Sequence, residues 1–270
     1  MADKIKIVVI GNGMSGLCAI EAILKTKADV AITIFGDEPY PNYNRIMLSD
    51  ILARKTSYEK IILNSDAWYQ ENYIDLRKNE AIAAIDPQRK VVISTKGDES
   101  PYDYLIIAVG ALPFIPHMIG ADKKQVMVFR TLDETQQIIE LAQSDKAERP
   151  LRDAVVIGGG LLGLEAARGL MNHGVSSTVI HLMDRLMEQQ LDPMGGWLLK
   201  REISRMGIPV LLNTTATEIL GNDDVEGVRI ASGEVYPCDM VLICAGVRPN
   251  IALAKVAGLR VNRGVSVNDQ

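Results

Sequence analysis

The sequence contains few cysteines and no long apolar run, and both absences argue against whole classes of protein. Three cysteines occur among 270 residues, Cys18, Cys238 and Cys244. None belongs to a CxxC pair or to a histidine-rich cluster with metal-ligand spacing, so neither a redox dithiol nor a metal site is predicted. We expect each thiol to fill apolar space. No apolar stretch approaches the roughly 20 residues of a membrane-spanning helix, so a membrane protein is not expected.

Basic residues are also in the minority. The chain has 29 Lys and Arg against 34 Asp and Glu, a formal net charge of -5. Nucleic-acid-binding proteins gather positive charge on one face, so nucleic acid is not an expected partner. The beginning of the chain lacks the basic region, apolar core and cleavage site of a signal peptide, which predicts a cytoplasmic protein. With 47% hydrophobic residues the chain can bury a full core, and its length suggests two domains.

A strand, a glycine-rich turn and a helix follow one another twice along the chain. The first copy has a β-branched run at 4–10, the turn Gly-Asn-Gly-Met-Ser-Gly at 11–16, an amphipathic helix and a strand at 30–35. The second copy has a strand at 154–157, a glycine turn at 158–163, a helix through His173 and a strand at 178–181. This repetition predicts two βαβ units.

The remaining elements are predicted from caps, prolines and alternation. Pro113 and Pro116 interrupt the pattern and suit a linker between domains. Thr131 and Glu134 form a capping box, and Asp192-Pro193 is typical of a helix start. The other predicted helices cover 46–54, begin near Ser65, run from Thr131 to about Gln143, and run from Asp192 to about Arg205. The other predicted strands are at 81–85, 91–94, 102–109 and 240–244.

Each glycine turn has the spacing that a dinucleotide requires. The first glycine permits the sharp turn, the second lets a pyrophosphate approach the backbone, and the third lets the helix pack against the strand. The N-terminus of the helix presents free N–H groups and a partial positive charge to the phosphates. One such motif is weak evidence, but two in the correct context predict two dinucleotide sites.

In dinucleotide-binding units of this kind, an acidic residue directly after the second strand usually binds the adenosine ribose. In the first unit this position is Gly36, so Asp37 or Glu38 is predicted to take over the contact, Glu38 being favoured; solvated loop carboxylates are the alternative. In the second unit the position is His181, with Arg185 nearby. His181 could tolerate either NADH or NADPH, or could be an ordinary strand-end residue, and the sequence leaves both questions open.

Four motifs in order carry a family resemblance over nearly the whole chain: GNGMSG, then 107–111 (IAVGA), GGGLLGLE and CAGVRPN. They resemble the two-dinucleotide-binding flavoprotein reductases of the FAD-dependent pyridine nucleotide-disulfide oxidoreductase superfamily. Segments 43–49 and 181–196 are similar to the flavin portion of the NAD(P)H nitrite reductase large subunit. Rubredoxin and ferredoxin reductases are the nearest relatives of that group.

The resemblance implies an α/β fold with two Rossmann-like, three-layer ββα dinucleotide-binding domains, the second inserted into the first. The implied boundaries are 1–112 for the first part of the FAD-binding domain, 113–240 for the NAD(P)-binding domain and 241–270 for the return to the FAD-binding domain. Relatives continue with a further flavin-binding motif and a C-terminal interface domain, which do not occur in these 270 residues.

The resemblance also assigns residues to FAD. Arg45 would donate to the phosphates or the ribityl chain, since its planar fork suits phosphate. Many relatives place a lysine shortly after this arginine, where this chain has Asp50. Ala81 would contact the adenine through its backbone. The implied FAD-binding residues are Gly11, Asn12, Gly13, Met14, Ser15, Gly16, Asp37, Glu38, Arg45, Ala81, Ala108 and Gly110, with Gly246 passing near both rings.

For NAD(P)H, the resemblance assigns the second turn and one carboxylate. Glu165 is similar to the family glutamate that approaches the nicotinamide, and its alternative role is to stabilise the helix N-terminus. The implied NAD(P)-binding residues are Gly158, Gly160, Leu161, Leu162, Gly163, His181 and Arg185.

The implied function is hydride transfer from NAD(P)H to FAD, followed by electron transfer to an iron–sulfur or sirohaem domain or to a small electron carrier. Nitrite reduction is the leading interpretation, and a rubredoxin or ferredoxin reductase is the alternative. A nucleotide-binding module without catalysis is a third possibility from another class. A homodimer is a further expectation of the resemblance.

Overall fold

The computed structural model describes residues 4–143 and 151–268. The first three residues, on which the expected absence of an export signal partly depends, lie outside this range. The helices are α1 (Met14–Lys25), α2 (Leu48–Leu52), α3 (Tyr58–Ile61), α4 (Asp66–Glu71), α5 (Leu132–Ala142), α6 (Leu161–Met171), α7 (Pro193–Arg205) and α8 (Ala252–Val256). The strands are β1 (Ile5–Ile10), β2 (Val30–Phe35), β3 (Ile74–Arg77), β4 (Ile82–Asp86), β5 (Val91–Ser94), β6 (Glu99–Pro101), β7 (Tyr104–Ile107), β8 (Ala111–Pro113), β9 (Val126–Val128), β10 (Asp153–Ile157), β11 (Ser176–Ile180), β12 (Val210–Leu211), β13 (Ala216–Leu220), β14 (Gly227–Ile230), β15 (Val235–Pro237), β16 (Met240–Ile243) and β17 (Val247–Pro249).

The chain forms two compact units. The first contains the residues up to Asn44, Ile61–Leu112 and those from Arg248 onward, and the second contains Arg45–Lys60 and Pro113–Val247. This division differs from the implied boundaries in two places. Residues 45–60 belong to the second unit, and the chain returns to the first unit at Arg248 rather than at 241.

The first unit is built on a parallel sheet that is covered on both faces. Its strand order is β3-β2-β1-β7. On one face Leu17 and Ile20 of α1 pack with Val9 and Ile34 of the sheet, and on the other Val8 packs against the antiparallel sheet β4-β5-β6. Residues 7–10 of β1 are therefore all buried, as expected for a strand whose two faces are both covered.

The second unit repeats this arrangement. Its parallel sheet has the order β12-β11-β10-β16-β9, and a three-stranded antiparallel sheet, β13-β14-β15, packs on one face. On β10, Val155 contacts the antiparallel layer, while α6 packs against the same strand and buries Ala166 and Ala167. The α/β fold with two Rossmann-like, three-layer units is therefore confirmed.

In each unit, parallel pairing brings three strand ends to one edge of the sheet. In the first unit the Gly11 N–H donates to the Phe35 carbonyl at 2.8 Å, and the Ala108 N–H donates to the Ile10 carbonyl at 2.8 Å. In the second unit the Gly158 N–H donates to the Ile180 carbonyl at 2.9 Å. Ligands of doubly wound sheets bind beyond the carboxyl ends of the strands, so the fold places both glycine turns where a ligand is expected.

The predicted caps are confirmed by local geometry. Thr131 and Glu134 form a complete capping box at the start of α5, and Asp192 caps α7 by accepting from the Gly195 N–H. Ser65 caps α4. The predicted strand at 102–109 is shorter than expected, since β7 covers Tyr104–Ile107. Within the described ranges, none of the helices combines the length and apolar character needed to cross a membrane.

Residues 45–60 pack within the second unit through α2. Leu52 is fully buried, and a Cβ placed on Gly169 of α6 would lie 2.7 Å from its Cγ. The carbonyls of Leu52 and Ala53 accept hydrogen bonds from His173 Nε2 at 2.7 Å and from Asn172 Nδ2 at 2.9 Å. A glycine on α6 therefore makes the space in which this short helix binds.

Candidate functional site: two glycine turns

Two of the three glycines in the first turn are required by the protein's own backbone. Gly11 has φ +106°, and a Cβ there would lie 2.3 Å from the Ala108 carbonyl oxygen. A Cβ on Gly16 would lie 2.4 Å from the Gly11 carbonyl oxygen. These distances are far below van der Waals contact, so glycine is needed for the turn and for the approach of α1 to β1.

Gly13, between them, has a different environment. Its φ of -86° and ψ of 179° suit any residue, and a Cβ there would meet nothing within 4 Å. Gly13 is the N-cap of α1, yet no side chain caps this helix. The N–H groups at the start of the helix, at Met14 and Ser15, therefore lack a side-chain cap, and a Cβ on Gly13 beside them would project into open space.

A polar cluster that the sequence did not predict supports this turn. Asn42 is 1% exposed, and its Nδ2 donates to the Asn12 carbonyl at 2.7 Å. The Tyr69 hydroxyl donates to Asn12 Oδ1 at 2.9 Å. Burial raises the pKa of Tyr69 to about 12, so the hydroxyl keeps its proton. Asn42 lies in the loop at 37–44, which is rich in Pro, Asn and Tyr, but nothing in its spacing indicated that it would contact the turn.

Within the described residues, two atoms of this cluster are buried without a hydrogen-bond partner: Asn12 Nδ2 and Asn42 Oδ1. Unsatisfied buried polar atoms cost free energy and are uncommon in folded proteins. Their position beside the first glycine turn indicates that this region has hydrogen-bonding capacity that the chain does not use itself.

The predicted ribose carboxylates have different environments. Asp37 is exposed, whereas the Glu38 carboxylate accepts a hydrogen bond from the Tyr43 hydroxyl at 2.6 Å. This contact orients Glu38 and leaves Asp37 as a solvated loop residue. The Ala81 carbonyl accepts from the Thr95 N–H at 2.9 Å, which leaves the backbone N–H of Ala81 as the group available to an adenine.

The other residues predicted for FAD are divided between the units. Ala108 and Gly110 lie in the first unit, after β7, and Gly110 has φ +67°. Arg45 lies in the second unit, where its Nη1 donates to the Arg130 carbonyl at 3.1 Å. Gly246, also in the second unit, has φ +106°, and its carbonyl accepts from the Phe114 N–H at 2.8 Å.

The second turn has the same pattern of required and open positions. Gly158 has φ +125°, and a Cβ there would lie 2.3 Å from the Cys244 carbonyl oxygen. A Cβ on Gly163 would lie 2.1 Å from the Gly158 carbonyl oxygen. A Cβ on Gly160 would meet nothing within 4 Å, and Gly160 is the N-cap of α6 without a side-chain cap. Both turns thus keep their central glycine clear of the protein's own atoms.

Three further predicted site residues lie in the second turn or shortly after it. Leu161 is 58% exposed and Leu162 is 39% exposed, although both are large and apolar. Glu165, one turn further along α6, is half-buried. Neither leucine fills the core of the unit, and this is consistent with a surface that a ligand covers.

His181 is a buried residue beneath the second turn. The Gly159 N–H donates to its Nδ1 at 3.0 Å, so the proton of the neutral ring lies on Nε2, which is 3.1 Å from Glu188 Oε2. Arg185 is also engaged, because its guanidinium donates to the carbonyls of Leu191 at 3.2 Å and Glu188 at 3.4 Å. Glu188 was not predicted from the sequence.

The cysteines correct one expectation. Cys18 is exposed on α1, so the prediction that all three thiols fill apolar space is wrong for this residue. Burial raises the pKa of Cys238 and of Cys244 to about 12, so neither forms a thiolate near neutral pH. In the described part of the chain, no group of three or more His, Cys, Asp and Glu side chains could hold a metal ion.

Comparison with known proteins finds relatives that act in the reduction of nitrite and nitrate. The chain is 46% identical over 267 residues to a nitrite reductase [NAD(P)H] of Bacillus subtilis, covering 98% of this chain and 32% of that protein. It is 41% identical to an assimilatory nitrate reductase electron transfer subunit of the same organism, covering 98% of this chain and 34% of the relative. The chain thus spans about a third of the length of these two relatives.

A solved structure and a family match agree with these relatives. The crystal structure of NADH:rubredoxin oxidoreductase from Clostridium acetobutylicum matches with a TM-score of 0.80 and 28% identity, over 99% of this chain and 65% of that one. The family of pyridine nucleotide-disulphide oxidoreductases matches residues 5–270 of the chain. FAD and NAD(P)H are the cofactors that this match implies, and the two open glycine turns fit their pyrophosphates. The chain belongs to the pyridine nucleotide-disulphide oxidoreductase family.

Proposed function

We propose that the chain is the electron-input part of a nitrite-reducing flavoprotein, which takes hydride from NAD(P)H and passes electrons to an iron–sulfur or sirohaem centre. The observation that carries this proposal is the duplicated turn. Each copy has two glycines at which a Cβ would lie within 2.5 Å of a backbone oxygen, and a central glycine at which a Cβ would meet nothing within 4 Å. Two separate turns of this kind provide for two dinucleotides, which is what transfer between a nicotinamide and a flavin needs.

The residues of the first unit are proposed to hold FAD. The N–H groups of Met14 and Ser15 at the start of α1 would bind its pyrophosphate, and Asn12 and Asn42 would keep the turn in shape. Glu38, oriented by the Tyr43 hydroxyl, would accept from the adenosine ribose. When bound, FAD would supply an acceptor for a hydride ion and a route for single electrons.

The residues of the second unit are proposed to hold NAD(P)H. The N–H groups of Leu161 and Leu162 would bind the pyrophosphate, and the exposed apolar side chains of both would be covered by the ligand. Glu165, which is half-buried on α6, would approach the nicotinamide. Binding and orientation of the two coenzymes, rather than acid–base chemistry, would be the task of the protein.

The thiols argue against a disulfide as the electron acceptor. A dithiol relay needs two neighbouring cysteines of which one is readily ionised, but Cys238 and Cys244 both have a pKa near 12 and Cys18 is remote in sequence. The acceptor is therefore proposed to be a metal centre in another domain or protein. The 46% identical nitrite reductase and the 41% identical nitrate reductase electron transfer subunit support that class of partner.

The proposal is tested with the purified chain mixed with FAD in the absence of oxygen. We expect a yellow protein whose flavin absorbance is bleached by NADH or NADPH. A colourless protein that still binds the nicotinamide coenzyme would instead make the chain a nucleotide-binding module, and the enzymatic proposal would be wrong. A variant with Gly13 replaced by valine is the control for specific flavin binding, because this position tolerates a Cβ sterically.

The electron acceptor is tested by comparing how fast two different electron-transfer partners oxidise the reduced chain. A second candidate function is rubredoxin reduction, which the structural match with NADH:rubredoxin oxidoreductase favours. The reduced chain is mixed in turn with rubredoxin and with a separately purified iron–sulfur and sirohaem protein that reduces nitrite. Faster oxidation by the sirohaem protein, with consumption of nitrite, supports the leading proposal. Faster oxidation by rubredoxin supports the second.

A further inference from the structure

The end of β11 lacks the carboxylate that usually binds the adenosine ribose of NADH. His181 stands at this position, and its side chain is 9% exposed. Its Nδ1 accepts from the Gly159 N–H, and its Nε2 proton is directed at Glu188. An imidazole with both nitrogens engaged cannot accept a hydrogen bond from a ribose hydroxyl.

The loop after His181 brings a carboxylate to the same place. The Met187 N–H donates to the Gly159 carbonyl at 3.0 Å, so the loop folds back onto the middle of the glycine turn. Met187 adopts φ +50°, a left-handed conformation that an unbranched, non-glycine residue adopts rarely. Next to it, the Glu188 carboxylate is held 3.1 Å from the His181 ring and is 20% exposed.

Glu188 is ionised at neutral pH. Burial opposes its ionisation, but its own backbone N–H and the His181 ring outweigh this effect, so the pKa lies below its ordinary value. A carboxylate has acceptor sites for more than one donor, so the contact with His181 leaves capacity for a ligand hydroxyl. Glu188 therefore has the charge and the exposure of a ribose-binding acid.

The same loop offers no free cation for a 2′-phosphate. Arg185 is its single basic residue apart from His181, and its guanidinium donates to two backbone carbonyls and to Asp184 Oδ1 at 3.0 Å. NADPH sites usually present an arginine to the 2′-phosphate, whereas NADH sites present an acid to the 2′-hydroxyl. Both the engaged arginine and the available carboxylate favour NADH.

We propose that Glu188, positioned by His181, is the residue that binds the adenosine ribose of NADH and selects against NADPH. This inference rests on the proposed binding of NAD(P)H at the second glycine turn. It assigns to a residue seven positions beyond His181 the task that an acid at the position of His181 performs in the usual arrangement. The carboxylate would accept from the ribose hydroxyls and repel a 2′-phosphate.

The inference is tested by titrating NAD⁺ and NADP⁺ into the purified chain in a calorimeter, which needs no catalytic turnover. The wild-type chain should bind NAD⁺ at least about tenfold more tightly than NADP⁺, the worth of one charge-assisted hydrogen bond. In Glu188→Gln this preference should fall to about twofold or less. Glu188→Arg should bind NADP⁺ the more tightly, a gain that misfolding cannot produce.

Asp184→Asn is the matched control. It removes one negative charge from the same loop, at a carboxylate that is 64% exposed and that pairs with Arg185. Its preference for NAD⁺ should remain within about twofold of wild type, since exposed charges are well screened. An equal loss of preference in Asp184→Asn and Glu188→Gln would show a general charge effect and would overturn the inference.

The outcomes separate this inference from the function on which it rests. Equal binding of NAD⁺ and NADP⁺ by wild type would overturn the role of Glu188 but leave the second turn as a coenzyme site. Failure of wild type to bind either coenzyme would overturn the proposed function and this inference together. Thermal unfolding of each variant, compared with wild type, shows whether a loss of binding reflects a loss of fold.

Discussion

Replacing Gly160 with valine separates the ligand-binding role of the second turn from its structural role. The backbone at Gly160 has φ -81° and ψ 179°, which valine adopts without strain, and no heavy atom lies within 4 Å of the added Cβ. The variant should lose only the small advantage of glycine over an apolar residue at an N-cap, about 1 kcal/mol of unfolding free energy. We therefore expect it to fold.

Coenzyme binding should be affected much more strongly. The valine side chain would fill the space in front of the N–H groups of Leu161 and Leu162, which are the proposed pyrophosphate donors. A hydrogen bond to a charged group contributes about 1.5–3 kcal/mol, so loss of two would cost about 3–6 kcal/mol. This corresponds to a weakening of the NAD⁺ dissociation constant by about a hundredfold to ten-thousandfold.

The assay combines calorimetric titration of NAD⁺ with thermal unfolding, and Gly163→Ala is the contrasting variant. Its Cβ would lie 2.1 Å from the Gly158 carbonyl oxygen, so this smaller change should destabilise the fold more than Gly160→Val does. If Gly160→Val bound NAD⁺ as well as wild type, the second turn would not be a pyrophosphate site. If it unfolded below Gly163→Ala, the steric analysis of the turn would be wrong.

Three further predictions concern the first turn and the α2 contact. Gly13→Val should remain folded but take up no FAD, as measured by flavin absorbance after gel filtration; normal flavin content would refute the first site. Asn42→Asp places a buried carboxylate against the Asn12 carbonyl and should lower the unfolding free energy by at least about 2 kcal/mol in urea. Burial lowers the pKa of His173, so the unfolded chain binds the proton first and stability should fall as the pH drops below 6.5. His173→Gln should flatten that dependence in thermal unfolding; an unchanged slope would assign it to other groups.

The repeat in the sequence was sufficient to predict both units, because its signals are local. Glycine spacing, apolar runs and helix caps depend on neighbours within a few residues. The structure contains the turns, strands and caps that these signals predicted, such as the cap at Thr131. Unit membership depends on distant contacts. Residues 45–60 look like a continuation of the first unit along the chain, yet Leu52 packs on Gly169 of the second. No local sequence pattern predicts the contact between Leu52 and Gly169.

The candidate site was predicted unevenly for the same reason. The glycines could be predicted because the backbone of the turn requires them. Asn42 and Tyr69 were missed because their contacts with Asn12 span 30 and 57 positions. The role proposed for Glu188 was not predicted because an acid was sought directly after the strand, whereas Glu188 lies seven residues beyond His181 on the loop that Met187 joins to the glycine turn. When the conformation of a loop determines where a side chain lies, no fixed spacing in the sequence identifies that side chain.

The packing of Leu52 on Gly169 also determines how the protein can be divided experimentally. A fragment made from residues 113–247 would carry α6 but not the helix that covers it, leaving an apolar hollow in contact with water. The side-chain donors of Asn172 and His173 would have lost their acceptors as well, because those acceptors are the Ala53 and Leu52 carbonyls. The second unit therefore does not correspond to one continuous stretch of the sequence, and a working fragment would have to include residues 45–60 joined by a new linker.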